Sequence, residues 1–250
     1  MNWPAFLFFT VFVVIAEILI RLGVLPDYLF PAPTTVLKTM SEQRAEFSSA
    51  MIETLRATLL GLACSFVSGI ALAILFSLSQ FLRRAVLPFA IFFQTVPIIA
   101  VAPLLVIYFG FGISTVTAAA FIVSIFPIIA NTLLGLESVE PGKVELMKLY
   151  RANRWQVLVK LRLPHAYPSI YAGLKVAIGL AVIGAVAGEF VAGGGLGAMI
   201  DSARTQQRID IVFGALILLS VIGLFCIAGL KLIHNLIQKV RPYGIHLKDS

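Results

Sequence analysis

Charge is what this chain lacks. Asp, Glu, Lys and Arg together make up 12% of its 250 residues, roughly half the share in a soluble domain. Whole segments carry none: 57–82, 85–136 and 211–230 contain no Asp, Glu, Lys or Arg. An ordinary water-soluble fold is excluded by this pattern and by a mean hydropathy of +0.99. Cysteine is nearly absent as well. Cys64 and Cys226 both lie in apolar runs, which removes a disulfide framework and leaves two small packing residues. His165, His234 and His246 stand far apart, and none has the spacing of a metal site. A phosphate-cradling loop needs G-x-x-x-x-G-K-[ST]. The only Gly-Lys pair, Gly142-Lys143, is followed by Val144 and has Glu137 where the first glycine belongs. Any nucleotide energy must therefore come from another chain.

What is present is apolar sequence in lengths that suit a bilayer. A helix rises about 1.5 Å per residue, so about 20 apolar residues cross the hydrocarbon core. The uncharged runs and the oily N-terminal segment predict spans near 4–24, 57–79, 86–108, 113–134, 172–191 and 211–232. FGFG at 109–112 supplies the turn that divides the longest run. The N-terminal segment has neither a basic leader nor a small-x-small cleavage site, and is expected to be a retained first span. The reading is an all-α polytopic membrane protein with six transmembrane helices in a single domain, 1–250.

Basic residues give the orientation. With the N-terminus inside, the inner face receives Arg83, Arg84, seven bases across 135–175, and Lys231, Lys239, Arg241 and Lys248. The outer face receives Arg21, Lys38, Arg44, Arg56, Arg204 and Arg208, each offset by an acid on the same side. Bases favour the cytoplasmic side, so both termini are expected in the cytoplasm. The net charge of +7 is then largely a record of topology and calls for no nucleic-acid partner.

One stretch departs from the oily background. VELMKLYRANRWQVLVKLRLP at 144–164 carries five bases and one acid, inside the longest inner loop, 135–171. Pro141 suits the first turn of a helix running to about Tyr150, and Asn153 suits the N-cap of a second over 154–162, ended by Pro164. Leu146, Leu149 and Tyr150 give the first helix an apolar stripe, and Val157, Leu158 and Leu161 give one to the second. Such a hairpin can rest on anionic lipid headgroups or dock in the groove of a soluble partner.

Other polar groups stand out within the spans. Gln94 and Thr95 precede Pro97, and facing lipid would be costly for them. Pro97, Pro103 and Pro127 interrupt spans three and four, as packing kinks or as bends that line a cavity. Glu189 continues the small-residue series Ala177, Ala181, Ala185 and leads into Gly193-Gly194-Gly195-Leu196-Gly197. Its two readings are a carboxylate bonding backbone donors of that turn, and a contact for substrate or gate. Glu17 and Arg21 form a helical ion pair in the favourable order. Phe92, Phe93 and Tyr108 can stack on a heterocycle or simply pack. For the pathway and its gate the candidates are Gln94, Thr95, Pro97, Glu189, Gly195 and Gly197.

Glu145 through Pro164 resembles the cytoplasmic EAA loop of binding-protein-dependent ABC transporter permeases, which begins with Glu, has Gly six residues on and ends in Leu-Pro. Ala152, Asn153, Trp155, Leu163 and Pro164 stand in register with it; Leu146 and Met147 replace two alanines and Arg151 replaces the glycine. LPDYLFPAPTTVL at 25–37, VPIIAVAPLLVIYFGFG at 96–112, LPHAYPSIYAGLK at 163–175 and GEFVAGGGLGAMI at 188–200 are similar to the nitrate, sulfonate, taurine and vitamin-precursor branch. The resemblance implies a type I, MetI-like permease fold in the cell (inner) membrane. It implies a homodimer, two cytoplasmic ABC ATPase subunits and an extracytoplasmic substrate-binding protein. ATP and Mg would be bound by the ATPase, with no cofactor in this chain. The coupling loop would comprise Glu145, Leu146, Leu149, Tyr150, Arg151, Ala152, Asn153 and Trp155, with Leu163 and Pro164 fixing its exit. The substrate would be a small organic anion (sulfonate, taurine or nitrate type) or a heterocyclic vitamin precursor (pyrimidine or riboflavin type). An ion-coupled secondary transporter would need ionisable groups within its spans, and only Glu17 and Glu189 qualify. A membrane-embedded enzyme would need a clustered catalytic set, and none is visible.

Overall fold

A computed structural model describes residues 3–24, 26 and 29–240, and the regular elements among them are all helical. In chain order they are α1 (Trp3–Arg21), α2 (Pro33–Glu42), α3 (Arg44–Leu78), α4 (Gln80–Thr95), α5 (Ile98–Phe109), α6 (Ile113–Glu137), α7 (Pro141–Leu149), α8 (Arg154–Val157), α9 (Leu163–Ala192), α10 (Gly195–Thr205) and α11 (Ile209–Val240).

Among the described residues, four helical stretches are long and apolar enough to cross a membrane: Arg44–Leu78, Ile113–Glu137, Arg154–Ala192 and Ile209–Lys239. That is fewer than the six expected. The expected third span, 86–108, is not one helix but two, α4 and α5, each too short to cross alone. Val96 is extended (φ −77°, ψ 123°) and Pro97 starts the next helix with ψ 122°, because a proline ring pushes the residue before it out of the helical region. Pro103 and Pro127, expected to interrupt their spans, lie inside continuous helices. The expected second span begins 13 residues early, since α3 starts at Arg44. At about 1.5 Å per residue its 35 residues reach about 52 Å, well beyond a hydrocarbon core of about 30 Å. The FGFG turn forms where expected, with Gly110 at φ 77° and Gly112 at φ 92°.

The centre of the molecule is the antiparallel pair α6 and α9, with α3 on its flank. Small residues hold the backbones together along the whole length. Gly135 lies against Ala166 and Ser169, Gly173 against Pro127 and Asn131, and Gly184 against Ala119 and Val123. A Cβ placed on Gly184 would stand 2.5 Å from Val123 Cγ2 and 2.7 Å from the Ala119 carbonyl oxygen. Ala177, Ala181 and Ala185 are all fully buried. Some polar side chains in this apolar interior bond to each other, the Ser65 and Ser124 hydroxyls standing 2.7 Å apart across α3 and α6, while the buried Thr58 and Thr132 hydroxyls have no partner among the described residues.

Two further ties fix the ends. Glu17 pairs with Arg21 at 2.6 Å, and its carboxylate also accepts from the Thr34 amide at 3.1 Å and the Thr34 hydroxyl at 2.7 Å, clamping α1 to the start of α2. Arg83, just after the turn into α4, pairs with Glu137 at the end of α6.

Candidate functional site

The hairpin that joins α6 to α9 is built by local rules. Pro141 opens α7 in its first turn. The helix stops at Leu149, and Arg151 takes the left-handed conformation, φ 55°. The Arg151 amide donates to the Lys148 oxygen at 2.8 Å, and the Ala152 amide to the Met147 oxygen at 3.0 Å. These are the two bonds of a left-handed helix ending that ordinarily falls to glycine. Asn153 then caps α8: its Oδ1 accepts from the Gln156 amide at 2.8 Å, while the Gln156 Oε1 accepts from the Asn153 amide at 2.8 Å. Two otherwise orphaned backbone donors are satisfied reciprocally.

Pro164 does not end the second helix, as it was expected to. Helix continues from Arg154 to Ala192. Leu158–Arg162 forms a wider turn, in which the Leu163 amide bonds the Leu158 oxygen, five residues back. Pro164 falls in the first turn of the helix that follows, where a missing amide hydrogen costs little. The widened turn thus absorbs the proline that would otherwise break the rod. The expected fifth span, 172–191, is correspondingly the C-terminal part of a longer helix.

The two predicted apolar stripes have opposite fates. Val157 and Leu158 are buried, Leu158 against Leu136 and Ala166. In contrast, Leu146 is 54% exposed, Leu149 80%, Tyr150 79% and Trp155 64%. The hairpin is therefore anchored to its own protein by α8 and leaves the stripe of α7 uncovered. Glu145 and Arg151 are exposed beside it, and Leu163 is half-buried at the exit.

At the far end of α9, residues distant in sequence meet around the glycine run. Gly193, Gly194 and Gly195 all have positive φ. The first amides of α10 are then taken up by three side chains. Gly195 donates to Glu53 Oε2 at 2.8 Å, Leu196 to Thr54 Oγ1 at 2.9 Å, and Gly197 to Glu189 Oε2 at 2.7 Å. Glu189 is 2% exposed. Its carboxylate does bond a backbone donor of the glycine turn, the first of its two sequence readings. Beside this cluster lies a cavity of about 520 Å³, lined by Glu53, Arg56, Phe111, Val116, Glu189 and Gly194 among others. Arg56 follows Glu53 by three residues yet forms no ion pair with it, since the Glu53 carboxylate is turned to Gly195.

Thr95 and Pro97 are not brought here. Thr95 bonds the Phe92 oxygen of its own helix at 2.8 Å, and neither Thr95 nor Pro97 lines the cavity. The side chains of Gln94 and Phe93 fall outside the described residues, as does His246. Tyr108 is 77% exposed. Sequence reasoning missed the parts played by Glu53, Thr54 and Arg56, which it read only as balanced outer charge or not at all. Their one signal was position: a polar cluster at the threshold of the uncharged run 57–82. It also missed His234, which is buried and accepts or donates a 2.8 Å bond with the Tyr167 hydroxyl while stacking on Tyr171 at 4.2 Å. Tyr167 and Tyr171, four apart on α9, were the available signal for that contact. Among the described residues no three His, Cys, Asp or Glu side chains are grouped to hold a metal.

Comparison with known proteins bears on both ends. The family model described as "Binding-protein-dependent transport system inner membrane component" matches residues 65–241. A probable ABC transporter permease protein of Haemophilus influenzae is 32% identical over 92% of this chain and 95% of its own length. The formylaminopyrimidine transport permease protein ThiX of Halalkalibacterium halodurans is 36% identical over 92% of this chain and 93% of its own length. Among solved structures, a chain of the MetNI methionine ABC transporter, in an inward-facing conformation, superposes with a TM-score of 0.66 at 20% identity, over 77% of this chain and 96% of that one.

Proposed function

Because the chain belongs to the family of binding-protein-dependent transport system inner membrane components, we propose that it works as a homodimeric six-span permease driven through the α7 hairpin. It is the permease subunit of an ABC importer, an inner-membrane transport component, and ATP hydrolysis belongs to a separate subunit. An ABC ATPase and a binding protein are the partners the family implies.

The observation that carries the coupling role is the uncovered stripe Leu146, Leu149 and Tyr150 with Trp155 beside it, on a hairpin whose other face is locked into the protein. A helix in an apolar groove is a standard recognition mode, with anchors at i, i+3 and i+4. The surrounding bases keep the hairpin in water, and the stripe gives the ATPase a grip. Glu145, Leu146, Leu149, Tyr150, Arg151, Ala152, Asn153 and Trp155 form the contact; Leu163 and Pro164 carry it into α9. Motion of the hairpin then has a direct route. The helical rod Arg154–Ala192 has 39 residues, about 58 Å at 1.5 Å per residue, and its outer end borders the cavity beside Glu189. Closure of two ATPases moves the hairpin, the rod tilts, and the outer cavity opens to receive solute.

For the six spans, α1 serves as the first and the broken pair α4–α5 as the third, entered from the cytoplasm with both chain ends inside. Broken helices at membrane depth are tolerated where they border protein or a water-filled path, and the break at Val96 and Pro97 supports the choice of Gln94, Thr95 and Pro97 as pathway residues. The substrate is a small organic anion of the sulfonate, taurine or nitrate type, or a heterocyclic precursor of the pyrimidine or riboflavin type. The similarity to a formylaminopyrimidine permease supports the latter class, while Arg56 at the outer cavity, which forms no ion pair among the described residues, suits the anionic class.

The test is reconstitution of the permease with its ATPase and binding protein in proteoliposomes. Uptake of labelled solute that needs ATP, and that is lost when Leu149 and Tyr150 are both replaced by Asp, is expected. Uptake that persists in the double variant would sink the docking role.

A further inference from the structure

We propose that Glu53 is a positioning residue for transport: its carboxylate is the releasable part of a latch that holds the start of α10, and the glycine turn before it, beside the outer cavity. The inference rests on the importer reading above and adds a residue to it that no sequence motif marks.

Three side chains hold the first amides of α10, and they differ in one respect. Thr54 and Glu189 are buried, at 0% and 2% exposure. Their bonds to Leu196 and Gly197 cannot be exchanged for water, so losing either would strand a buried polar group. Glu53 is exposed. Its bond to the Gly195 amide can be traded for water at small net cost. The latch therefore has a fixed hinge and a free catch, set one residue apart along both α3 and α10.

The position of the catch gives it a task. Glu53 lies on α3 and lines the cavity where α9 ends, and Gly195, which opens α10, directly follows the cavity-lining Gly193 and Gly194. The same corner is closed from another side by the α5–α6 turn, where the Gly112 amide donates to the Ala192 oxygen at 3.2 Å. Releasing Glu53 frees α10 to swing on the Thr54 and Glu189 contacts and so widens the outer mouth. The run Gly193, Gly194 and Gly195, all at positive φ, supplies the backbone freedom for that swing. A binding protein arriving with its solute would then spend part of its binding energy on this one exposed bond.

The test uses the assembled permease–ATPase complex with and without binding protein, comparing Glu53→Ala with Glu53→Gln. Glu53 is exposed, so its removal leaves no core cavity. Glu53→Gln keeps an oxygen that accepts from Gly195. For Glu53→Ala, hydrogen exchange across 193–205 should quicken about fivefold, the factor for one exposed hydrogen bond. ATP hydrolysis without binding protein should rise by a similar factor, while the thermal midpoint of the complex stays put; Glu53→Gln should restore wild-type values for both. Unchanged exchange across 193–205 in Glu53→Ala overturns the latch, as does a Glu53→Gln variant that behaves like Glu53→Ala. Wild-type proteoliposomes that take up no solute with ATP would count against the importer reading instead, and the exchange measurement would still decide the latch.

Discussion

Arg151 donates its amide to the Lys148 oxygen at 2.8 Å while holding a φ of 55°. An L-residue in that region costs on the order of 1 kcal/mol, and the resembled loop motif places glycine there. Among the described residues no ion pair of the Arg151 side chain offsets the cost. Arg151→Gly should therefore stabilise the end of α7 by about 0.5–1 kcal/mol, read as slower hydrogen exchange at the amides of 150–153. Faster exchange would mean that the arginine side chain supports the turn.

Coupling should be separable from assembly at Glu145. It is exposed on α7, so Glu145→Lys leaves the fold alone and reverses the charge offered to the ATPase. Membrane insertion and thermal stability should be unchanged, and uptake per ATP hydrolysed should fall tenfold or more. A variant with wild-type uptake would remove Glu145 from the coupling surface.

Glycines on the central pair can be sorted by what a side chain would strike. Gly184→Ala puts a methyl 2.5 Å from Val123 Cγ2 and 2.7 Å from a backbone oxygen, forcing α6 and α9 apart at a cost of about 1–3 kcal/mol. Gly179, on the same helix, has nothing within 4 Å of the added Cβ, so Gly179→Ala should be neutral or better. Thermal unfolding in detergent, followed by size-exclusion chromatography, should show a lowered midpoint for the first alone.

How much of this the chain announced depends on distance along it. The cap at Asn153 and the turn at Gly110 are local, and each was visible in a few residues, whereas Arg151 stood out only as the replacement for a glycine in the resembled loop and its left-handed φ is a finding of the structure. Glu189 was visible because an acid in an apolar run demands partners. Glu53 gave no such sign, since its partner Gly195 lies 142 residues away and an acid beside an arginine reads as a surface pair. Pro97 and Pro164 show the limit of local rules from both sides. Pro97 was placed inside a span and breaks it, because Val96 goes extended. Pro164 was expected to end a helix and does not, because the turn before it widens. The same residue type gives opposite results according to what its neighbours can accommodate.

Topology is the premise that every mechanical step shares, and Leu149 and Ser202 test it as a pair. Leu149 is 80% exposed at the end of α7, and Ser202 lies on α10, at the opposite end of the rod Arg154–Ala192. The bases collected around the hairpin favour the cytoplasmic side, whereas charges near α10 balance. In a background with Cys64 and Cys226 replaced by Ala, Leu149→Cys should resist a membrane-impermeant maleimide in intact cells and react once the membrane is opened. Ser202→Cys should react from outside in intact cells. Labelling in the reverse sense would put the hairpin out of reach of any ATP-hydrolysing subunit, and the rod would then have nothing to push it.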